Sequence, residues 1–204
     1  MTAVITDPQL EESLKAKRRA WGIDRYDEVW EGVYIMSPQP NVEHQELVSD
    51  LVGVLRDVIR PPKGGKVYPG INLSDRAEDW EDNYRCPDVA VFLPGNRAEK
   101  FEAHYRGAAD FLIEVVSPRD DTREKIPFYS SLGVRELLII DRYPWSLELH
   151  RHNGRELVLA AKSNAEQSEI LASAVLPLCF RLLPAEPRPE IQITEPGGGR
   201  NWSL

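Results

Sequence analysis

Two short apolar stretches, each interrupted by one carboxylate, constrain this chain more than any other feature. The first covers residues 86–92 (CPDVAVF) and the second covers residues 111–118 (FLIEVVSP). Both are rich in β-branched and aromatic residues, which is typical of buried strands. A carboxylate is costly to bury in such a strand unless a cation or hydrogen bonds hold it. Asp88 and Glu114 therefore each need a partner, and the nature of that partner indicates the function.

Strand geometry predicts where these two carboxylates lie relative to one another. Asp88 opens the first stretch, whereas Glu114 lies near the end of the second. In an antiparallel pair the start of one strand lies beside the end of the other, and side chains alternate between the two faces. We therefore expect Asp88 and Glu114 to be neighbours on one face. The intervening residues 93–110 are long enough that this pairing is not forced.

A helix is predicted directly after the second stretch. Asp121 and Glu124 have the spacing of a capping box, Asp120 is a further candidate cap, and Gly133 marks the helix end. Pro127 removes one helical hydrogen bond and should distort the first turn. One face of this helix should pack on the sheet. Its residues have the spacing i, i+3, i+4 and i+7 and are Lys125, Phe128, Tyr129 and Leu132. Lys125 should then lie close to Asp88 and Glu114 at the ends of the strands.

The rest of the chain completes a mixed sheet flanked by helices. Apolar periodicity predicts helices at 8–20 and 42–60, a hairpin at 29–36, a strand at 66–73 interrupted by Pro69-Gly70, and strands at 136–141, 145–151 and 156–162. The strand at 136–141 follows a helix and should be parallel to its neighbour. We expect one domain over residues 1–183, followed by a loose tail at 184–204 that is rich in proline and glycine.

Composition excludes some classes of function and weakens others. The net charge of −8 is not what non-specific nucleic-acid binding would predict, although local patches and bound cations can compensate. Signatures of nucleophile elbows, Walker-type loops and dinucleotide folds are absent from the sequence. Cys86 and Cys179 are interpreted as reduced thiols of a cytoplasmic protein. Neither a signal peptide in residues 1–10 nor a membrane span is expected.

One family shares these features in the same order. The relevant motifs are Glu31-Gly32, His44, Pro87-Asp88-Val89, Glu114-Val115-Val116-Ser117-Pro118, Lys125, Gly133-Val134-Arg135-Glu136 and Ile140-Asp141. In this order the chain resembles the Uma-two endonuclease family of the PD-(D/E)XK superfamily, from about Tyr26 to about Leu183. The resemblance implies an α/β fold, a restriction-endonuclease-like mixed β-sheet flanked by helices. It also implies metal-dependent hydrolysis of phosphodiester bonds.

The resemblance assigns roles to particular residues. It implies that Asp88, Glu114 and the backbone carbonyl of Val115 bind Mg²⁺, with Mn²⁺ as a substitute. In the superfamily motif a lysine stands two residues after the glutamate, where this chain has Val116. In the Uma-two group the lysine function is transferred to the following helix, where this chain has Lys125. Asp88, Glu114 and Lys125 are thus the expected catalytic residues.

Each assignment has a simpler alternative. Asp88 could cap a turn, Glu114 and Lys125 could form a buried ion pair without metal, and the Lys125 stem could pack while its head reaches water. Three further residues could line the site, and each has an ordinary structural explanation. They are Glu31 as a turn residue, His44 as a residue of the buried helix face, and Ser117 as the end of a strand.

The sequence thus predicts a Mg²⁺-dependent endonuclease whose expected substrate is DNA. The alternative is a catalytically inactive module with a nuclease fold that binds nucleic acid or a protein, which the charge of −8 and the missing lysine at position 116 favour. A homodimer is expected, because nucleases of this architecture often cut duplexes as two-fold dimers. The apolar segment 136–149 and the C-terminal segment are its candidate interfaces.

Overall fold

A computed structural model describes residues 8–59, 64–117 and 121–204. These residues form sixteen strands, two short 3-10 turns at Trp80–Asp82 and Thr122–Lys125, and three helices, α1 (Pro8–Trp21), α2 (Val42–Ile59) and α3 (Ile126–Leu132). Three sequence-based expectations concern residues outside the described ranges: the cap at Asp120, the strand stop at Pro118 and the last residue of the helix at 42–60. Within the described residues, no helix is long and apolar enough to cross a membrane.

The central sheet carries both apolar stretches and has the strand order β12-β11-β10-β9-β6-β3. Its strands are β3 (Lys66–Pro69), β6 (Val89–Phe92), β9 (Phe111–Val115), β10 (Glu136–Arg142), β11 (Trp145–His152) and β12 (Leu157–Asn164). β9 and β10 are parallel, whereas β6 and β9 are antiparallel. The mixed α/β sheet flanked by helices is therefore confirmed, including the parallel position of the strand after α3.

A second sheet contains the N-terminal hairpin and has the order β2-β1-β5-β4-β8-β7. Its strands are β1 (Glu28–Trp30), β2 (Val33–Ile35), β4 (Asn72–Ser74), β5 (Tyr84–Arg85), β7 (Glu99–Lys100) and β8 (His104–Arg106). The hairpin turns at Glu31 and Gly32, as predicted, and both residues have positive φ angles, of 52° and 84°. The break at Pro69-Gly70 separates β3 from β4, which belong to different sheets.

The C-terminal segment differs from the expectation of a loose tail. A third sheet has the order β13-β14-β15-β16 and comprises β13 (Leu171–Ala172), β14 (Cys179–Leu183), β15 (Glu190–Thr194) and β16 (Asn201–Ser203). Ile191 and Ile193 are fully buried in the cluster that also contains α2 and the central sheet. The alternation of apolar and polar residues along β15 outweighs the proline- and glycine-rich composition around it, because each inward isoleucine buries apolar surface.

The two faces of the central sheet have different coverings. In β9, Phe111, Ile113 and Val115 face the cluster formed with α2 and the third sheet. Leu112 faces the opposite cluster, which contains Phe128 and Tyr129 of α3. Because side chains alternate along a strand, Glu114 lies on the α3 side of the sheet.

Two local expectations are corrected by the structure. Asp121 makes no side-chain capping bond, and residues 122–125 form a 3-10 turn before α3 begins at Ile126. Pro127 lies in the first turn of α3, where a missing N–H leaves no helical bond unmade, so it marks the helix start. Gly133 ends the helix with φ of 87°, as predicted.

The segment 136–149 lies inside the central sheet and is largely buried, so it is not a free surface for a dimer interface.

Candidate active site

The antiparallel register of β6 and β9 brings the two sequence-predicted carboxylates together. Val89 pairs with Ile113, so the next position along the ladder places Asp88 opposite Glu114. Asp88 Oδ2 also accepts a hydrogen bond of 2.7 Å from the backbone N–H of Val115. The pairing expected from strand alternation is therefore present. The half-buried Asp88 lies at the start of β6 and the buried Glu114 lies beside it near the end of β9.

Glu114 is held by a lysine and a tyrosine from the segment that follows β9. Lys125 Nζ lies 3.2 Å from Oε1 and 3.4 Å from Oε2 of Glu114. The Tyr129 hydroxyl donates a bond of 2.6 Å to Oε1 of the same carboxylate. Lys125 thus reaches the acid from the 3-10 turn before α3 and not from the predicted helix, whereas Tyr129 reaches it from α3. Sequence reasoning placed Tyr129 on the predicted helix face without assigning it to the site.

A third carboxylate, Glu28 of β1, completes the cluster and was missed by the sequence analysis. Its Oε1 lies 2.8 Å from Lys125 Nζ and accepts a bond of 2.8 Å from the N–H of Cys86. Its Oε2 accepts a bond of 2.6 Å from the indole N–H of Trp30. The hairpin predicted at 29–36 begins one residue after Glu28. The available signal was strand alternation, which places Glu28 and Trp30 on one face.

The electrostatics of the cluster are dominated by an excess of buried acid. The pKa of Glu114 is raised to about 8, first by burial and then by the neighbouring Asp88 and Glu28 carboxylates, whereas Lys125 and Tyr129 act in the opposite direction. Burial also raises the pKa values of the Cys86 thiol and the Tyr129 phenol, so both stay protonated at neutral pH. One ammonium thus contacts two acidic side chains, Glu28 and Glu114, and Asp88 is a third acid beside Glu114. Such a site favours a proton or an added cation.

The three residues predicted as site-lining have different positions. His44 is buried in the first turn of α2, where its N–H donates to the side chain of Asn41, and its Nε2 lies 3.3 Å from Asp88 Oδ1. His44 therefore joins the site. Glu31 is exposed in the β1–β2 turn, and the acid that this hairpin contributes to Lys125 is Glu28. Ser117 is half-buried just after β9, beside the undescribed residues 118–120.

The donor set fits a hard divalent cation. Among the residues that the structure describes, no group of three or more His, Cys, Asp or Glu side chains has the arrangement of a complete metal cage. Mg²⁺ does not require such a cage, because it is usually held by one or two carboxylates, several waters and substrate phosphates. Asp88 and Glu114 supply carboxylate oxygens. The pKa of Glu114 is raised first by burial and then by the Asp88 and Glu28 carboxylates, and a bound cation would favour the ionised form against both effects.

Comparisons with known proteins agree with this geometry. A crystal structure of a putative nuclease belonging to DUF820 from Anabaena variabilis matches with a TM-score of 0.53 and 21% identity, covering 65% of this chain and 75% of that chain. At this identity the match supports the fold. No functionally curated protein matches the chain. The family model described as "Uma2: Putative restriction endonuclease" matches residues 10–185. The chain therefore belongs to the Uma2 family and has a nuclease-like fold.

Proposed function

We propose that this protein is a Mg²⁺-dependent endonuclease that hydrolyses phosphodiester bonds in DNA. The observation that carries the proposal is the cluster in which Lys125 contacts Glu114 while Asp88 lies opposite Glu114 across the β6–β9 ladder. Membership of the family supports a nuclease activity. The metal is our inference from the donor set, and DNA as the substrate is our inference from the description of the family as restriction endonucleases. Mn²⁺ should substitute for Mg²⁺, because both accept carboxylate oxygens.

The residues of the cluster have distinct roles in this proposal. Asp88, Glu114 and the backbone carbonyl of Val115 would hold the metal, which supplies a polarised water and offsets negative charge at the phosphate. Lys125 would donate N–H bonds to the phosphate oxygens as charge develops on them. Tyr129 keeps one Glu114 oxygen in place through its hydroxyl. Glu28 positions the Lys125 ammonium through a contact of 2.8 Å.

The proposal is tested by neutral replacements of the two acids. Asp88→Asn and Glu114→Gln should each abolish Mg²⁺-dependent cleavage of DNA while leaving the fold intact by circular dichroism. Glu156→Gln is the matched control. Glu156 is exposed in the turn between β11 and β12, so this variant should cleave DNA like the wild type. If the wild-type protein cuts neither duplex, single-stranded nor branched DNA, nor RNA, with Mg²⁺ or Mn²⁺, the proposal fails.

A second candidate is a nuclease-fold module that binds nucleic acid or protein without turnover. It is favoured by the net charge of −8 and by Val116 at the position of the superfamily lysine. Metal titration calorimetry separates the two candidates. Tight Mn²⁺ binding that disappears in Asp88→Ala supports the nuclease, whereas binding of nucleic acid without any dependence on divalent metal supports the module.

The cellular setting belongs to the same proposal. Cys86 and Cys179 are free thiols, which fits a reducing compartment such as the cytoplasm. A homodimer would place two such clusters on the two strands of a duplex.

A further inference from the structure

A cavity of about 260 Å³ lies directly beside the acidic cluster. Asp88 and His44 form part of its wall, so the cavity and the cluster share one carboxylate. The buried side chains of Val48 and Val52 from α2 also line it. Its volume lies just below the range of about 300–1,000 Å³ that encloses a whole small-molecule ligand. A segment of a longer chain that enters from the surface would fit it better.

Two arginines give this cavity a basic character that the protein as a whole lacks. Arg25 is exposed at its rim, with its guanidinium carbon 5.4 Å from the centre of the Tyr26 ring. Arg56 is half-buried, and one of its terminal nitrogens donates a bond of 3.3 Å to the carbonyl of Val67. In the part of the chain that the structure describes, neither guanidinium forms an ion pair with a carboxylate.

Two residues that line the cavity also carry buried nitrogens with unused hydrogen-bonding capacity. The His44 side chain is only 7% exposed, and its Nδ1 has no hydrogen-bond partner among the described residues. The Nε of Arg56 is likewise buried and without a partner within the described ranges. Buried polar atoms are almost always paired in folded proteins, so the Nε–H of Arg56 beside this cavity needs an explanation. An anion with acceptor oxygens would provide it.

We propose that this cavity binds a backbone phosphate of the nucleic-acid substrate, next to the phosphate that is cleaved at Asp88 and Glu114. The identity of the ligand rests on the proposed nuclease function. Arg25 and Arg56 supply the positive charge, and Arg56 can present a planar fork to two phosphate oxygens. Val48 and Val52 provide an apolar surface for the adjoining sugar. Asp88 then lies between the bound phosphate and the Glu114–Lys125 pair.

This assignment accounts for how a chain with a net charge of −8 could bind a polyanion. Affinity for nucleic acid depends on the number of phosphates that basic side chains neutralise locally, and each neutralised phosphate contributes to the salt dependence of binding. Two arginines without carboxylate partners at the edge of the catalytic cluster form such a local patch. They would also fix the register of the strand, because phosphate contacts position a nucleic acid without reading its sequence.

The experiment measures binding without turnover. Fluorescence anisotropy with labelled single-stranded and duplex oligonucleotides in EDTA, at several salt concentrations, is carried out on the wild type and on Arg25→Met and Arg56→Met. Each variant should bind about tenfold more weakly, and the slope of log affinity against log salt should become shallower by about one. Arg56→Lys should retain the wild-type slope but not the full affinity, because it keeps the charge and loses the fork. Arg155→Met, an exposed arginine that does not line the cavity, should match the wild type.

The outcomes separate this proposal from the nuclease function itself. Unchanged affinity and slope in both variants would overturn the phosphate site, even if the wild type cleaves DNA. Arginine-dependent binding in a protein that never cleaves would support the site and refute the nuclease. If inorganic phosphate or pyrophosphate binds in an Arg56-dependent manner while oligonucleotides do not bind, the site takes free phosphate, and the proposal is wrong. Arg25 is exposed, so its variant reports on binding without a risk to folding.

Discussion

Replacement of Glu114 by glutamine should change how the stability of the protein depends on pH. The carboxyl group is buried beside Asp88 and Glu28, which raises its pKa from 4.5 to about 8 in the folded state. In the unfolded chain the same group is solvated and loses its proton near its usual pKa. Glutamine resembles the protonated carboxyl in shape and can still accept the bond from Tyr129. The variant therefore isolates the titration of one group.

The sign and the size of the effect follow from proton binding. Between pH 4.5 and about 8 the folded state keeps a proton on Glu114 that the unfolded state has lost. The free energy of unfolding of the wild type must then fall as the pH rises, by up to about 1.4 kcal/mol per pH unit. From pH 5.5 to 7.5 the loss attributable to Glu114 is about 2.5 kcal/mol, slightly less than twice this limit because the group is partly titrated at both ends. The stability contributed by the raised pKa is present below pH 4.5 and is lost as the pH passes 8.

The assay is urea denaturation in EDTA at pH 5.5, 6.5 and 7.5. Other groups titrate in this interval, so the informative quantity is the difference between wild type and Glu114→Gln at each pH. We expect this difference to change by about 1.4 kcal/mol per unit in favour of the variant as the pH rises. Glu156→Gln should give a curve parallel to the wild type, because Glu156 is exposed. A difference that is constant over the whole interval would refute the reasoning, since Glu114 would then be ionised throughout by its contact with Lys125.

Divalent metal provides an internal check on the same measurement. Metal ligation requires the ionised carboxylate, so a cation bound at Asp88 and Glu114 lowers the proton affinity of Glu114. Addition of Mg²⁺ should therefore stabilise the wild type more at pH 7.5 than at pH 5.5, and this gain should be absent in Glu114→Gln. An equal gain in both proteins would place the cation elsewhere.

Two further predictions concern the lysine and the assembly. Lys125→Met keeps most of the apolar stem and removes the charge, so it should still bind Mn²⁺ through Asp88 and Glu114 but cleave at least about a hundredfold more slowly; wild-type cleavage would show that the lysine only packs. The protein should be a homodimer at micromolar concentration by size-exclusion chromatography with light scattering, and a monomer under those conditions would remove the dimer from the proposed function.

The sequence could predict the Asp88–Glu114 pair because only local rules were needed. Alternation along two short strands and their antiparallel order place both acids on one face, and the register of β6 and β9 has this form. The contact of Lys125 with Glu114 was predictable from local spacing as well, although Lys125 lies in the 3-10 turn and not in the helix itself. Glu28 was not predictable, because it lies in β1 of the second sheet, whereas Lys125 lies in the turn that follows β9 of the central sheet. No periodicity in the chain reports how two sheets lie against each other.

Local competition explains the expectations that the structure corrects. The capping-box spacing at 121–124 was present, but Pro127 lacks an N–H, and α3 begins at Ile126 with a 3-10 turn before it. Proline and glycine in 184–204 suggested a loose tail, whereas two isoleucines at alternate positions of β15 were enough to attach it to the core. In both cases a few residues with a strong geometric requirement outweighed the average composition of the segment.

The cation beside Glu114 comes from Lys125 and not from position 116, which is a valine, and this placement has a physical consequence for the site. A lysine two residues after Glu114 would extend from the same strand and face as the acid it serves. In this chain Val116 instead packs against the apolar cluster under α3, and the cation comes from the turn before that helix. From there Lys125 reaches Glu114 of the central sheet at 3.2 Å and Glu28 of the second sheet at 2.8 Å. One ammonium thus connects two sheets and balances part of the charge of both acids. Loss of the lysine should consequently loosen the hairpin carrying Glu28 as well as slow the chemistry, an effect that a lysine at 116 would not produce.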